Sequence, residues 1–281
     1  MQKITPFLWF DGQAEAAAKS YASIFKNSKI LSVSPMSATF ELAGQKFIAL
    51  NGGPQFKFTP AISFFVECKT QPEINKLWQK LSVGGIVLMA LDKYPFSKKF
   101  GWLQDKFGVS WQLTLAGRAQ KISPFLMFVG RQHGRAREAI NFYVSLFKNS
   151  KVSKLDRYGS GEDERAGTVK HAVFSLNGQK FMAIDSGREH PFTFTEAVSF
   201  FVSCKTQKEI DCFWKKLSAG GRQSRCGWLK DKFGVSWQVV PPILGEMLSD
   251  EDSVKSNRVM EAMLKMGKLD IKKLKHAYEQ R

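Results

Sequence analysis

The chain has 281 residues, 43% of them hydrophobic, enough for about two domains with cores of their own, which excludes disorder as its main state. Lys and Arg total 42 against 25 Asp and Glu, a net charge of +17; this predicts attraction to anions without deciding the fold. No apolar run reaches the ~18 residues of a membrane span and the start lacks the regions of a signal peptide, so a soluble, cytoplasmic protein is expected.

A short apolar strand over residues 7–10 opens the chain. A helix follows, in which Ala14, Ala17, Ala18, Tyr21, Ile24 and Phe25 recur with the spacing of an amphipathic face. Strand-like runs then end in GQKF at residues 44–47. A second unit opens with a strand over residues 62–68. Its helix places Ile74, Leu77, Trp78 and Leu81 on one face and is introduced by Thr70 and Glu73, a capping box. Further strands follow, the last over residues 109–115. Beyond a Gly/Arg stretch at residues 117–120 the pattern begins again. The strand is now residues 125–129, the helical stripe Ala136, Ala139, Ile140, Tyr143 and Phe147, the second capping box Thr206 and Glu209, and the last strand residues 235–239.

Literal repeats fix this as a duplication. FKNSK at residues 25–29 returns at 147–151, GQKF at 178–181, SFFV of 63–66 at 199–202, and GWLQDKFGVSWQ of 101–112 as GWLKDKFGVSWQ at 227–238. Copy two is longer at 129–135 and 157–168, copy one at 86–100. The expected division is a first domain over 1–117, a second over 118–248, and a tail over 249–281 with one or two basic helices broken at Gly267. The four cysteines, Cys68, Cys204, Cys212 and Cys226, form no CxxC pair and are expected to be reduced and inert.

The run AEAAAKSYASIFKNSK to GQKF, then FTPAISFFVEC, then GWLxDKFGVSWQ, resembles the PhnB-like branch of the vicinal oxygen chelate superfamily, also described as 3-demethylubiquinone-9 3-methyltransferase. The resemblance covers nearly the whole chain twice. It implies an α+β fold of tandem domains, each built from two βαβββ modules whose mostly antiparallel sheet curves around a cleft with helices outside, plus the C-terminal helices. It also implies an intramolecular pseudo-dimer, open to further pairing as a homodimer. The superfamily holds metal enzymes such as glyoxalase I and extradiol dioxygenases as well as metal-free drug-binding proteins, and a fold alone does not choose among them.

The metal enzymes, as the resemblance implies, draw His, Gln or Glu ligands from four strand positions. Here those positions offer Pro6 and Phe7, Ala49, residues 61–63 and Gln112, or in copy two Pro124 and Phe125, Ala183, residues 197–199 and Gln238. The usual ligands are absent, Gln112 and Gln238 being neutral and weaker ones, so no cofactor is expected, with weak binding of a divalent metal as the alternative. Strand alternation places Ile62, Phe64, Val66 and Cys68 beneath the helices and leaves Ser63, Phe65 and Glu67 on the other face, with Ser110, Gln112 and Thr114 beside them. Copy two supplies Ser199, Phe201, Ser203, Ser236 and Gln238, with Asp185 aligned on Asn51. The resemblance makes this polar face the cleft, and its composition suits a small apolar or aromatic metabolite.

His190, near Asp185 in sequence, makes a candidate general acid/base pair that copy one lacks, so copy two is expected to carry any activity. His171 reads as structural and His133 as solvated. An adenosyl cofactor would call for a Gly-rich turn between a parallel strand and a helix; Gly52-Gly53, Gly84-Gly85 and Gly220-Gly221 read instead as plain turns. The residues thus favour a small-molecule-binding protein, with a lyase, transferase or dioxygenase-like enzyme as alternative. Nucleic-acid or other anion binding is the rival from another class, through Lys93, Lys98, Lys99 and Lys106, the 118–137 stretch and the basic tail.

Overall fold

The computed structural model describes residues 2–280. Four modules follow one another, each strand, helix, then three strands. The first holds β1 (Ile4–Phe10), α1 (Ala14–Ile24), β2 (Lys29–Val33), β3 (Ser37–Leu42) and β4 (Gln45–Asn51). The second holds β5 (Ile62–Cys68), α2 (Gln71–Ser82), β6 (Ile86–Tyr94), β7 (Ser97–Gln104) and β8 (Ser110–Leu115). The third holds β9 (Lys121–Phe128), α3 (Ala136–Leu146), β10 (Lys151–Arg157), β11 (Val169–Leu176) and β12 (Gln179–Asp185). The fourth holds β13 (Val198–Ser203), α4 (Gln207–Ser218), β14 (Arg222–Gln223), β15 (Trp228–Lys230) and β16 (Ser236–Val240). Three tail helices close the chain: α5 (Pro242–Leu248), α6 (Ser253–Leu264) and α7 (Ile271–Glu279). The sequence reading resolved the α6–α7 break at Gly267 but not α5. None of these helices is long and apolar enough to cross a membrane.

The chain divides into two compact units, one of residues 6–198 and one of the residues up to Thr5 with those from Ser199 onward. In the 6–198 unit one sheet runs β10-β11-β12-β9-β5-β8-β7-β6. Its centre is the antiparallel pair β5–β9, with Ser63 opposite Phe125, Phe65 opposite Ser123 and Glu67 opposite Lys121. The second module of copy one is thereby joined edge to edge with the first module of copy two, so the two repeats pair within the chain. Parallel ladders β5–β8 and β9–β12 flank this seam. The same unit holds β1-β4-β3-β2, with β1 and β4 parallel. The unit containing the chain's end holds β14-β15-β16-β13, where β13 and β16 are parallel and the Ser203 amide donates to the Lys3 carbonyl.

Helix starts follow their chemistry. Thr70 Oγ1 accepts from the Glu73 amide while Glu73 Oε2 accepts from the Lys69 amide at 2.8 Å; Thr206, Glu209 and Lys205 repeat this at the start of α4. The core of the 6–198 unit is aromatic. Trp111 of β8, fully buried, meets Tyr21, Phe25 and Phe64 with ring centroids 5.2, 5.0 and 5.4 Å away, distances typical of paired rings.

The longest repeated motif earns most of its residues structurally. Asp105 Oδ1 accepts from the Phe107 and Val109 amides at 2.8 and 3.1 Å, and its Oδ2 accepts from Tyr21 Oη at 2.7 Å and Trp111 Nε1 at 2.8 Å. Gly108, at a φ of 86°, turns the chain so that its own amide reaches the Asp105 carbonyl. A Cβ on Gly101 would lie 2.4 Å from the Trp78 ring, so only glycine lets α2 pack there. Asp231 repeats the pattern with the Phe233 and Val235 amides and Trp237 Nε1. Burial pushes the Asp105 carboxyl above its usual range, and burial, then the Asp105 charge, raises the Tyr21 phenol well above 10.0.

Replacing Asp105 by Ala strands these buried donors, each worth roughly 1–3 kcal/mol if unsatisfied. A loss of about 3–5 kcal/mol is expected in guanidinium unfolding after partial relaxation. Tyr21 carries a signature in pH: because its folded pKa is raised, its contribution is complete below the unfolded value near 10.0 and declines as pH rises toward the folded one. The stability gap between wild type and Tyr21→Phe should therefore shrink above about pH 10, read as unfolding midpoints from pH 7 to 11.

Candidate ligand-binding face

Alternation along β5 falls as its sequence requires. Phe64 turns inward onto Trp111 and Phe47, and Ser63, Phe65 and Glu67 occupy the opposite face. There the Gln112 amide Nε2 donates to Ser63 Oγ at 2.9 Å, and Trp102 Nε1 donates to Ser110 Oγ at 2.8 Å. Phe65 is stacked on Phe125 at 6.0 Å and tilted toward Phe100 at 6.5 Å. Ser63 and Gln112 are buried; Phe65 and Trp102 are half-buried and form the accessible rim.

The counterpart in the chain-end unit is organised alike but finished differently. Gln238 Nε2 donates to Ser199 Oγ at 3.0 Å. Phe201 packs against a core in which Val240 of β16 meets the tail residues Leu244, Met247, Val259, Leu269 and Leu274, so the tail lies on the face on which copy two was expected to receive its ligand. Ser236 Oγ is buried without a hydrogen-bond partner. At the same edge β14 and β15 have shrunk to two and three residues, against nine and eight in β6 and β7. The backbone of residues 266–267 takes up the slack, its carbonyls accepting from the Cys226 and Gly227 amides at 2.8 Å.

Asn51 and Asp185 do correspond, but on the helix-covered side. Asn51 Oδ1 accepts from the Ala14 amide at 2.8 Å. Asp185 Oδ1 accepts from the Gly134 and Ala136 amides at 2.8 and 3.1 Å and Oδ2 from the Val169 amide at 2.8 Å. Each side chain therefore ties the start of a helix to the end of a parallel strand. His190 Nε2 shares a hydrogen bond with Ser186 Oγ at 2.9 Å, and its ring lies 4.9 Å from that of Phe192. Burial and then Arg188 lower its pKa. The hydrogen bonds of Asp185 and His190 thus run to different groups. His133, read as solvated, is only 19% exposed in its side chain and sits 3.4 Å from Glu164 Oε2, an ion-pair separation without a hydrogen bond. Burial lowers the pKa of His171, with Lys154 adding to the effect. Cys68 and Cys204 are fully buried and their thiols are pushed up to about 12 by burial, whereas Cys212 is exposed.

Among the described residues no three His, Cys, Asp or Glu side chains converge. At the strand positions that could ligate a metal, Ser63 and Gln112 bind each other, and their neutral oxygens do not fit a divalent ion. The one cluster on this face that residue-by-residue reading missed is ionic. Glu67, buried at 3% exposure, is paired with Arg118 and, at 3.0 Å, with Lys180.

Sheets of paired βαβββ modules with helices on one side define a glyoxalase-like architecture. Glyoxalase I from Zea mays matches it over 83% of this chain and 89% of its own, with a TM-score of 0.54 at 12% identity. The chain belongs to the family described as 3-demethylubiquinone-9 3-methyltransferase, whose model matches residues 2–114 and again 120–240. A putative 3-demethylubiquinone-9 3-methyltransferase, PhnB protein, from Bacillus cereus is 50% identical over 41% of this chain and all of its own, with a TM-score of 0.40. A protein from Staphylococcus aureus is 36% identical over 41% of this chain and 97% of its own, with a TM-score of 0.19. No curated protein sequence matches.

The three amides on Asp185 make an expected outcome concrete. Asp185→Ala should cost about 1–3 kcal/mol in chemical denaturation. Asp185→Asn should cost less than Asp185→Ala but not be neutral, since its amide oxygen can still accept from the Gly134 and Ala136 amides while its Nδ2, a donor, cannot accept from the Val169 amide.

Proposed function

We propose that this protein binds a small, partly apolar organic molecule on the face carrying Ser63, Phe65 and Gln112, without a resident metal ion. The Gln112–Ser63 pair carries the reading. Gln112 Nε2 is engaged with Ser63, and its Oε1 and the Ser63 hydroxyl hydrogen offer one acceptor and one donor at the base of an aromatic rim. Phe65 and Trp102 supply flat apolar surface above that pair. Few, fixed polar groups amid aromatic walls is the composition of small-molecule sites. The tail core against Phe201 leaves the copy-one face as the open member of the pair, so we place the ligand there and not on Ser199, Phe201, Ser236 and Gln238.

A methyl-transfer role, which the family description would suggest, gains no support from the glycines. Gly84 and Gly220 follow helices α2 and α4 at positive φ, where they end a helix and do not cradle a cofactor at the start of one.

Native mass spectrometry of gently purified protein tests the reading. A retained small molecule is expected in wild type and in Gln238→Leu, and at least tenfold lower occupancy in Gln112→Leu. Undiminished occupancy in Gln112→Leu would overturn the placement. Elemental analysis should find well under one zinc, nickel or iron per chain; near one per chain would overturn the metal-independent reading.

A further inference from the structure

On the same unit, away from the Gln112–Ser63 pair, lies a groove of different chemistry. A cavity of about 320 Å³ is lined by Glu67, Arg118, Lys121, Lys154 and Lys180 together with Ser153 and Val173. It shares Ser153, Val173 and Lys180 with a larger cavity of about 620 Å³, where Lys151, Asn149, Ser150 and Ser175 join them. Both volumes are those of small-molecule sites. The residues come from β5, the β8–β9 connection, β9, β10, β11 and β12, so the groove exists only because the two copies share one sheet.

Its charges are unequal. Four cations face one carboxylate in the smaller cavity, and that carboxylate, Glu67, is buried beneath them and occupied by Arg118 and Lys180. Glu67 fixes the positions of two cations without consuming their remaining N–H donors, since a guanidinium has five and an ammonium three. Lys154 is held by Asp156 at 2.7 Å. Lys121, opposite Glu67 in the ladder, is exposed and makes no ion pair among the described residues. The seryl hydroxyls of Ser153 and Ser175 add neutral donors along the floor.

We infer that this groove is a binding site for a small anionic ligand bearing a phosphate or carboxylate group, with Lys121, Lys154, Lys180 and Arg118 as its contacts and Glu67 as a positioning residue. A short, localised anion fits better than a nucleic-acid backbone, because the buried carboxylate interrupts any continuous positive track and the smaller, four-cation cavity is lined by no aromatic ring on which a base could stack. The inference stands apart from the ligand proposed at Gln112.

Isothermal titration of the full chain with pyrophosphate and, separately, citrate tests it at fixed ionic strength. One-to-one saturable binding of either is expected, and the better of the two identifies the anionic group. The double variant Lys121→Ala/Lys154→Ala, both at exposed positions, should raise Kd at least tenfold. Lys76→Ala/Lys80→Ala, an equal charge change on the exposed side of α2, should leave it unchanged, as should Gln112→Leu. Absence of saturable binding by both anions, or equal weakening in the α2 variant, would overturn the site. So would binding of a single-stranded oligonucleotide that depends on Lys121 and Lys154 when neither small anion binds.

Discussion

A carboxylate buried among aromatic rings is the constraint on which the 6–198 unit depends. Asp105 sits where a tight turn enters β8, and it gathers two turn amides, an indole and a phenol from α1. Desolvating a carboxylate is costly unless its lone pairs are filled, and here they are. The consequence is geometric: helix, turn and strand are locked at once, and with β8 fixed the parallel neighbour β5 is fixed as well. Ser63 and Gln112 inherit their meeting from that lock. In the chain-end unit Asp231 does the same for β16, which places Gln238 beside Ser199.

Joining the repeats through β5 and β9 then gives the two copies unlike surroundings. The face of β5 and β8 keeps a rim of half-buried aromatics, while that of β13 and β16 is closed by apolar tail side chains on Phe201. Sequence identity between copies at Ser, Phe and Gln therefore does not mean identity of access. Chemistry differs too, since the cationic groove draws on side chains from copy one (Glu67) and copy two (Lys154 and Lys180) together.

Much of this was legible in the chain itself. Period-two alternation sorted Phe64 from Phe65 correctly, and the Thr–Glu spacing announced both capping boxes, because these are local rules. Alternation also put Ser63 and Gln112 on one face, though the hydrogen bond between them appears only in the structure. Three features were not legible. Nothing in a βαβββ pattern says whether a module pairs with its own copy or the other, as the hydrophobic periodicity is the same in both cases. Asp185 and Asn51 looked like cleft residues because a short polar side chain at a strand end carries no mark of which way it points; the need of nearby amides decides it. The groove was hidden because Glu67, Arg118, Lys154 and Lys180 are far apart in sequence and only sheet order assembles them. Part of the charge excess is collected there, Arg118 and Lys121 coming from the 118–137 stretch that the sequence singled out as basic.

The β5–β9 seam has one more implication. Two separate chains meeting through such a seam around a twofold axis must present the same residues from both sides, and their association weakens on dilution. Here only the few residues between β8 and β9 connect the partners, so pairing is intramolecular and independent of protein concentration. Symmetry is then no longer imposed on the contact. One half of a pair of equivalent surfaces can specialise while the other is covered, and Lys154 on β10, aligned with Ser32 of copy one, need have no twin.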